Sequence, residues 1–153
     1  MIETPQVTEM PRATTAFIHL RIPREKMPEL FGPTLEELFG ALVAQDIEPA
    51  GPVFAHHLRM DAGVFDFELG VPVDETPREE GHLQVGERPA VAVARTVYRG
   101  PYEGLPAAWG EFDAWMEEEG CEQAPDLWET YLVGPDAASD PEAWRTELVR
   151  PLR

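Results

Sequence analysis

Residues 125–153 read PDLWETYLVGPDAASDPEAWRTELVRPLR, and they contain a strand, a turn and a returning strand. Successive side chains of a strand point to opposite faces, so Leu127, Glu129, Tyr131 and Val133 share one side. A carboxylate therefore sits among apolar and aromatic neighbours. After Gly134-Pro135 and a polar loop, Trp144 to Leu152 has the length and composition to return antiparallel, bringing Trp144, Thr146 and Leu148 near that side. The result is an aromatic wall around one acid. Ring faces attract positive charge and a sheltered carboxylate neutralises it, so the arrangement suits an organic cation.

Upstream of this hairpin, Ala90 to Tyr98 (AVAVARTVY) reads as a strand, followed by the turn RGPYEG. Leu105, Ala108, Trp109, Phe112, Trp115 and Met116 then keep helical spacing, with Glu111, Asp113 and Glu117 to Glu119 directed mainly toward water. Gly120 stops that helix. The run Glu117-Glu118-Glu119 lies unfavourably at the negative pole of the helix and reads as a solvated end.

The first half has the same order. Ala13 to Ile22 is a strand ended by Pro23; PREKMPELFGP is too rich in Pro and Gly for a regular element and reads as a loop with at most one helical turn. Thr34 with Glu37 forms a capping-box pattern, and Leu35, Leu38, Phe39 and Leu42 predict an amphipathic helix ending near Gln45. Val53 to Met60 and Val64 to Val73 follow as strands around an Asp61-Ala62-Gly63 turn. Residues 74 to 89 are charged and turn-rich, a connection between a first module of about 13–73 and a second of about 90–153. Both modules run strand, helix, strand, strand, which points to an α+β fold built by internal duplication within a single domain of residues 1–153. Gly51-Pro52 falls opposite Ala124-Pro125, and Glu68-Leu69 opposite Glu147-Leu148.

In 153 residues with 43% hydrophobic and 27% charged side chains, one real core is affordable. The formal net charge of −17 excludes a nucleic-acid surface, which needs clustered Lys and Arg; partners are expected to be neutral or cationic. No apolar run reaches membrane-spanning length and the start MIETPQVTEMPR lacks signal-peptide features, so a cytoplasmic chain without membrane association is expected. One cysteine, Cys121, excludes an intrachain disulfide framework and reads as a small residue after the helix stop.

Glu129 is the candidate with chemistry. Its ordinary reading is an acid on a solvated strand face, but the opposite face would carry Asp126, Trp128, Thr130 and Leu132, so neither side is cleanly polar. A sheltered, unpaired carboxylate either takes up a proton or awaits a positive partner. Tyr131 and Trp144 share its side. By the halves' correspondence His56 falls opposite Glu129 and Leu58 opposite Tyr131, with Phe65 and Phe67 as aromatic lining. His56 and His57 point apart on one strand, and His19 and His82 lie in other elements, so no metal is expected. Neither a nucleophile triad nor a glycine-rich phosphate loop is present, so no cofactor is expected.

YRGPYEGLPAAWGEFDAWMEEEG followed by APDLWETYLVGPDAASDPEAWRTELVRPL resembles the GyrI-like small-molecule-binding domain, also called the bacterial transcription activator effector-binding domain. The resemblance covers about Thr8 to Arg153 and is carried by Gly100 with Tyr102, by Trp109, by Glu129-Thr130-Tyr131, and by the close at Trp144 to Leu152. It implies two strand-helix-strand-strand modules about a pseudo-dyad (a duplicated SHS2 unit), with the helices outside and a ligand groove between modules. Multidrug-sensing members hold lipophilic cations at a pocket glutamate among aromatics. Glu129 matches that position; Tyr131 and Trp144 match lining positions, and Tyr102 and Trp109 join them. Some members are hydrolases that open strained rings with a pocket acid, the role Glu129 would then take as catalytic residue; another inhibits gyrase, which would make the partner a protein. With no helix-turn-helix in these residues, the expectation is a stand-alone binder of a lipophilic cation or aromatic molecule, with a small hydrolase and an acidic topoisomerase inhibitor as alternatives.

Overall fold

The computed structural model describes residues 2–61 and 63–153. Eight strands form one antiparallel sheet: β1 (Gln6–Met10), β2 (Ala13–Pro23), β3 (Phe54–Asp61), β4 (Val64–Val73), β5 (Gln84–Arg88), β6 (Val91–Arg99), β7 (Leu127–Val133) and β8 (Arg145–Pro151). Two helices accompany them, α1 (Met27–Ala44) after β2 and α2 (Leu105–Glu118) after β6. The spatial order is β1-β6-β8-β7-β3-β4-β2-β5. From its centre outward this order repeats: β3, β4, β2 on one side, β7, β8, β6 on the other, each flanked by the short strand that precedes the opposite module.

Those short strands force the sheet to curl. A flat sheet would separate β1 from β2, six places apart, by about 29 Å at the usual strand spacing. Only Pro11 and Arg12 connect Met10 to Ala13, and three Cα steps reach at most about 11 Å. Pro89 and Ala90 impose the same limit between β5 and β6. The two edges are accordingly stitched together: Arg12 meets Glu87 at 2.7 Å and Arg88 Nε donates to the Pro11 carbonyl at 3.1 Å.

Both helices pack on the outer face. Leu38 and Leu42 of α1 meet Ala16, Ile18 and Val71, whereas Phe112 and Met116 of α2 meet Ala94, Tyr98 and Leu148. All ten are buried, which is what the helical spacing of the apolar residues requires. The inner face carries another apolar group, Met10, Phe54, Val93, Trp128 and Val149.

Three expectations need correction. The loop at residues 23–33 is a short 3-10 turn, Arg24–Lys26, followed by the start of α1; Thr34 is a buried position inside that helix and not its cap. Pro28 sits in the first turn, where a missing N–H costs nothing, and Pro33 lies one turn further in, while Leu30, Phe31 and Leu35 pack onto the sheet and hold the segment helical. The polar start and the charged connection each contain a strand, β1 and β5. Of the Asp61-Ala62-Gly63 turn, Ala62 lies outside the described residues, and Gly63 has the left-handed φ of +79° that the turn needs. Gly120, at φ +70°, ends α2 as expected.

Candidate functional site

At the middle of the sheet the cross-strand register reads Leu69, Ala55, Glu129, Leu148 across β4, β3, β7 and β8. Ala55 and Glu129 face each other over the pseudo-dyad. Both lie on the helix-covered side, as do Thr146 opposite Tyr131 and His57 opposite Leu127. The Glu129 carboxylate is held from two directions: Trp109 Nε1 of α2 donates to Oε2 at 2.7 Å, and the Tyr131 hydroxyl donates to Oε1 at 2.9 Å. Among the described residues no cation forms an ion pair with it.

Its surroundings raise the carboxyl's pKa. Burial disfavours the charged form, and the hydrogen bonds from Trp109 and Tyr131 recover only part of that cost. Burial and the neighbouring Glu129 likewise push the Tyr131 phenol well above its ordinary value, so it stays a donor.

An aromatic row leads away from this acid. Phe31 of α1 stands edge-on to Tyr131 at 5.8 Å; Tyr102 meets Tyr131 at 5.9 Å, and Trp144 lies 4.9 Å from Tyr102. The sequence before α2 explains where Tyr102 stands. Gly100 adopts φ +137° and donates its N–H to the Trp144 carbonyl, while Tyr98 donates its hydroxyl to the Pro101 carbonyl. A side chain at Gly104 would collide with that Tyr98 hydroxyl, so the turn closes only with glycine there. Trp144 is fixed in turn by donating Nε1 to the Ala138 carbonyl at 2.9 Å.

Of the expected site residues, the structure thus brings together Glu129, Tyr131, Tyr102, Trp109 and Trp144. It does not bring His56 to them. The register sets Ala55, not His56, opposite Glu129, and a slip of one residue moves every side chain to the other face. His56 lies on the inner face, stacked on Trp128 at 3.9 Å, its Nδ1 3.1 Å from Glu68 and its Nε2 2.8 Å from Asp126. Burial opposes the imidazolium, but the hydrogen bonds and charges of the two carboxylates outweigh it and raise the His56 pKa. Leu58 falls beyond the strand positions paired with β7.

Phe65 and Phe67 are on the helix side but enclose His57, at 5.2 and 5.1 Å, and Phe67 is fully buried core. Burial, with the nearby positive charges of His56 and Arg24, lowers His57 to about 4, so it is a neutral ring at physiological pH. Phe31, edge-on to Tyr131, is an aromatic residue beside the site that the expectations omitted. Its signal was the spacing Phe31, Leu35, Leu38, Leu42, hidden by Pro28 and Pro33.

The model of the GyrI-like small molecule binding domain matches residues 3–153. The chain belongs to this family. Among solved structures, the C-terminal domain of EcmrR is similar with a TM-score of 0.84 at 21% identity, covering 98% of this chain and 97% of that domain. EcmrR in its complex with DNA gives 0.85 at 20% identity, and there this chain spans 57% of the partner's length. SAV2435 bound to tetraphenylphosphonium gives 0.66 at 10% identity, over 99% of this chain and 94% of that one. A hydrolase from Listeria innocua gives 0.67 at 13% identity, over 97% and 91%. No curated protein sequence matches. The GyrI-like domain described here is a small-molecule-binding fold, and among its described residues no helix is long and apolar enough to cross a membrane.

Proposed function

We propose that this GyrI-like domain binds a lipophilic organic cation at Glu129, between the two helices. The observation that carries the reading is a recessed carboxylate held by Trp109 and Tyr131 with no cationic partner among the described residues. A monocation entering there supplies the missing charge, and Tyr102, Trp144 and Phe31 supply ring surface. The tetraphenylphosphonium on SAV2435 is a ligand of this chemical type on the same fold. Sequestration of a toxic compound is a role such a site would serve.

Calorimetry with tetraphenylphosphonium and neutral triphenylphosphine oxide tests the reading. In Glu129→Gln the cation should lose tenfold or more, about 1.4 kcal/mol, and the neutral compound little. Equal losses for both would remove the electrostatic role.

A second reading rests on the raised carboxyl pKa. A carboxylate whose ionised form is disfavoured can accept a proton from water near neutral pH, the act required of a general base in a ring-opening hydrolase. A strained, electrophilic substrate distinguishes the two: a binder returns at most one equivalent unchanged, an enzyme yields many equivalents of product that vanish in Glu129→Gln.

A further inference from the structure

The inner face of the curled sheet holds a cavity of about 410 Å³, on the side away from the helices and from Glu129. That volume falls within the usual range for small-ligand sites. Its chemistry is the reverse of the outer site. In a chain of net charge −17, two arginines line it, Arg88 at the end of β5 and Arg95 on β6, together with two acids, Glu9 on β1 and Glu147 on β8. Arg95 is committed: its Nε donates to Glu147 at 2.5 Å. Arg88 is not. Its Nε donates to the Pro11 carbonyl, and among the described residues no carboxylate lies within ion-pair distance of it.

The position of Arg88 follows from the sheet's closure. It pairs with Ala13 at the far edge, on the inner side, and the two-residue links fold that edge back toward β1 and β6. A guanidinium is thereby carried across to a cavity whose other walls are β1 and the strands β6, β7 and β8 of the second module. Burial lowers the Arg88 pKa, with Glu147 opposing from a distance, which is the signature of a cation set in a recess without a direct counterion. Trp128, Val93 and Val149 provide an apolar wall beside it, and Trp128 is itself fixed by stacking on His56, 3.9 Å away.

We propose that this inner cavity is a second binding site, selective for small organic carboxylates with an aromatic or aliphatic body. The carboxylate meets the free edge of the Arg88 guanidinium, whose planar fork matches it with paired hydrogen bonds, while the body rests on the Trp128 wall. Glu147 keeps Arg95 from adding a second positive contact and so sets the selectivity at one negative charge. The domain then carries opposite preferences on its two faces, a cation at Glu129 and a monoanion at Arg88.

Titration of the full chain with benzoate, followed by 1H–15N spectra, tests this. Saturable shifts are expected at the amides of Arg88, Arg95, Trp128 and Thr130, but not at those of Trp109 or Tyr131. Isosteric benzamide should bind at least tenfold more weakly, and Arg88→Gln should weaken benzoate by a similar factor. Arg88→Lys, which keeps the charge, should retain part of the affinity, and Glu129→Gln should leave it unchanged. The thermal transition of each variant establishes that it is folded. Absence of shifts at 10 mM benzoate, equal binding of benzamide, or full affinity in folded Arg88→Gln would each overturn the proposal. A loss of tetraphenylphosphonium binding in Glu129→Gln bears only on the outer site, so the two readings fail separately.

Discussion

The two modules place the same backbone on either side of the pseudo-dyad and fill it differently. Where the second has Glu129, the first has Ala55, flanked by Leu69 as Glu129 is by Leu148. Near them the first module keeps His57 between Phe65 and Phe67, a closed and neutral packing. The second spends its aromatic groups otherwise: the Trp109 N–H and the Tyr131 O–H both point at a carboxylate. A duplicated scaffold needs only one functional copy, and the other can become the rigid wall against which it works. Here the first module contributes Phe31 and core, and the second contributes the charge.

The most drastic way to break this division is to give the first module an acid as well. Ala55 is fully buried directly opposite Glu129, so Ala55→Glu would put two carboxylates in one sheltered space. A loss of about 3–5 kcal/mol is expected in urea unfolding, with little left of the native state at high pH.

The closed character of the first module has its own pH signature. The His57 pKa is about 4 in the folded chain, below the unfolded value, so in the interval between them the unfolded chain holds more protons. Stability from this group is therefore complete above about pH 6.5 and is lost as pH falls toward 4, to a total of about 3 kcal/mol. His56, whose pKa is raised, acts in the opposite sense: its stabilisation is present at low pH and fades as pH climbs through the raised value. Comparing urea midpoints of the wild type and His57→Phe at pH 4.5 and 7 isolates the first effect. The variant should lose less stability on acidification, and a parallel response would place the His57 proton elsewhere.

Glu129 runs in the same sense as His56. Its folded pKa lies above the unfolded one, so stability falls as pH rises through the interval between them, the chain paying for a charge it cannot pair. Glu129→Gln should therefore be no less stable than the wild type at pH 7, with a Tm equal to or above it. A clear destabilisation would mean that the carboxylate is a structural anchor for α2 through Trp109.

The architecture was legible where side chains alternate or recur over long stretches. Leu127–Val133 and Val64–Val73 have the bounds the pattern indicated, and the helical face Leu105, Ala108, Phe112, Met116 is buried apart from partly covered Leu105. The grouping of Glu129 with Tyr131 follows from the same period of two. What stayed hidden had no local signal. β1, mostly exposed, and β5, mostly half-buried, are five-residue edge strands whose pairing comes from closure of the sheet and not from their composition. The His56 error was a register error: matching the halves by Gly51-Pro52 with Ala124-Pro125 offsets β3 from β7 by one residue, and only the hydrogen-bonded pairing resolves it. The free guanidinium of Arg88 and the ion pair of Arg95 with Glu147 join residues from separate strands, and no spacing in the sequence announces them.

The smallest expected effect is at the outer end of the aromatic row. Trp144 is partly exposed and two rings removed from Glu129, so Trp144→Ala should weaken tetraphenylphosphonium and triphenylphosphine oxide alike, by about fivefold or roughly 1 kcal/mol. Selective loss of the cation would instead assign Trp144 an electrostatic part.

The central claim, that the second module holds an unpaired carboxylate for a cation to complete, is tested most directly by following that carboxyl itself. In protein labelled with 13C at glutamate side-chain carboxyls, the Glu129 signal, assigned by its absence in Glu129→Gln, is titrated with and without saturating tetraphenylphosphonium. The account predicts a pKa above the ordinary glutamate value in the free protein and a clear fall toward or below it with the cation bound. An ordinary pKa that the cation leaves unmoved would contradict it.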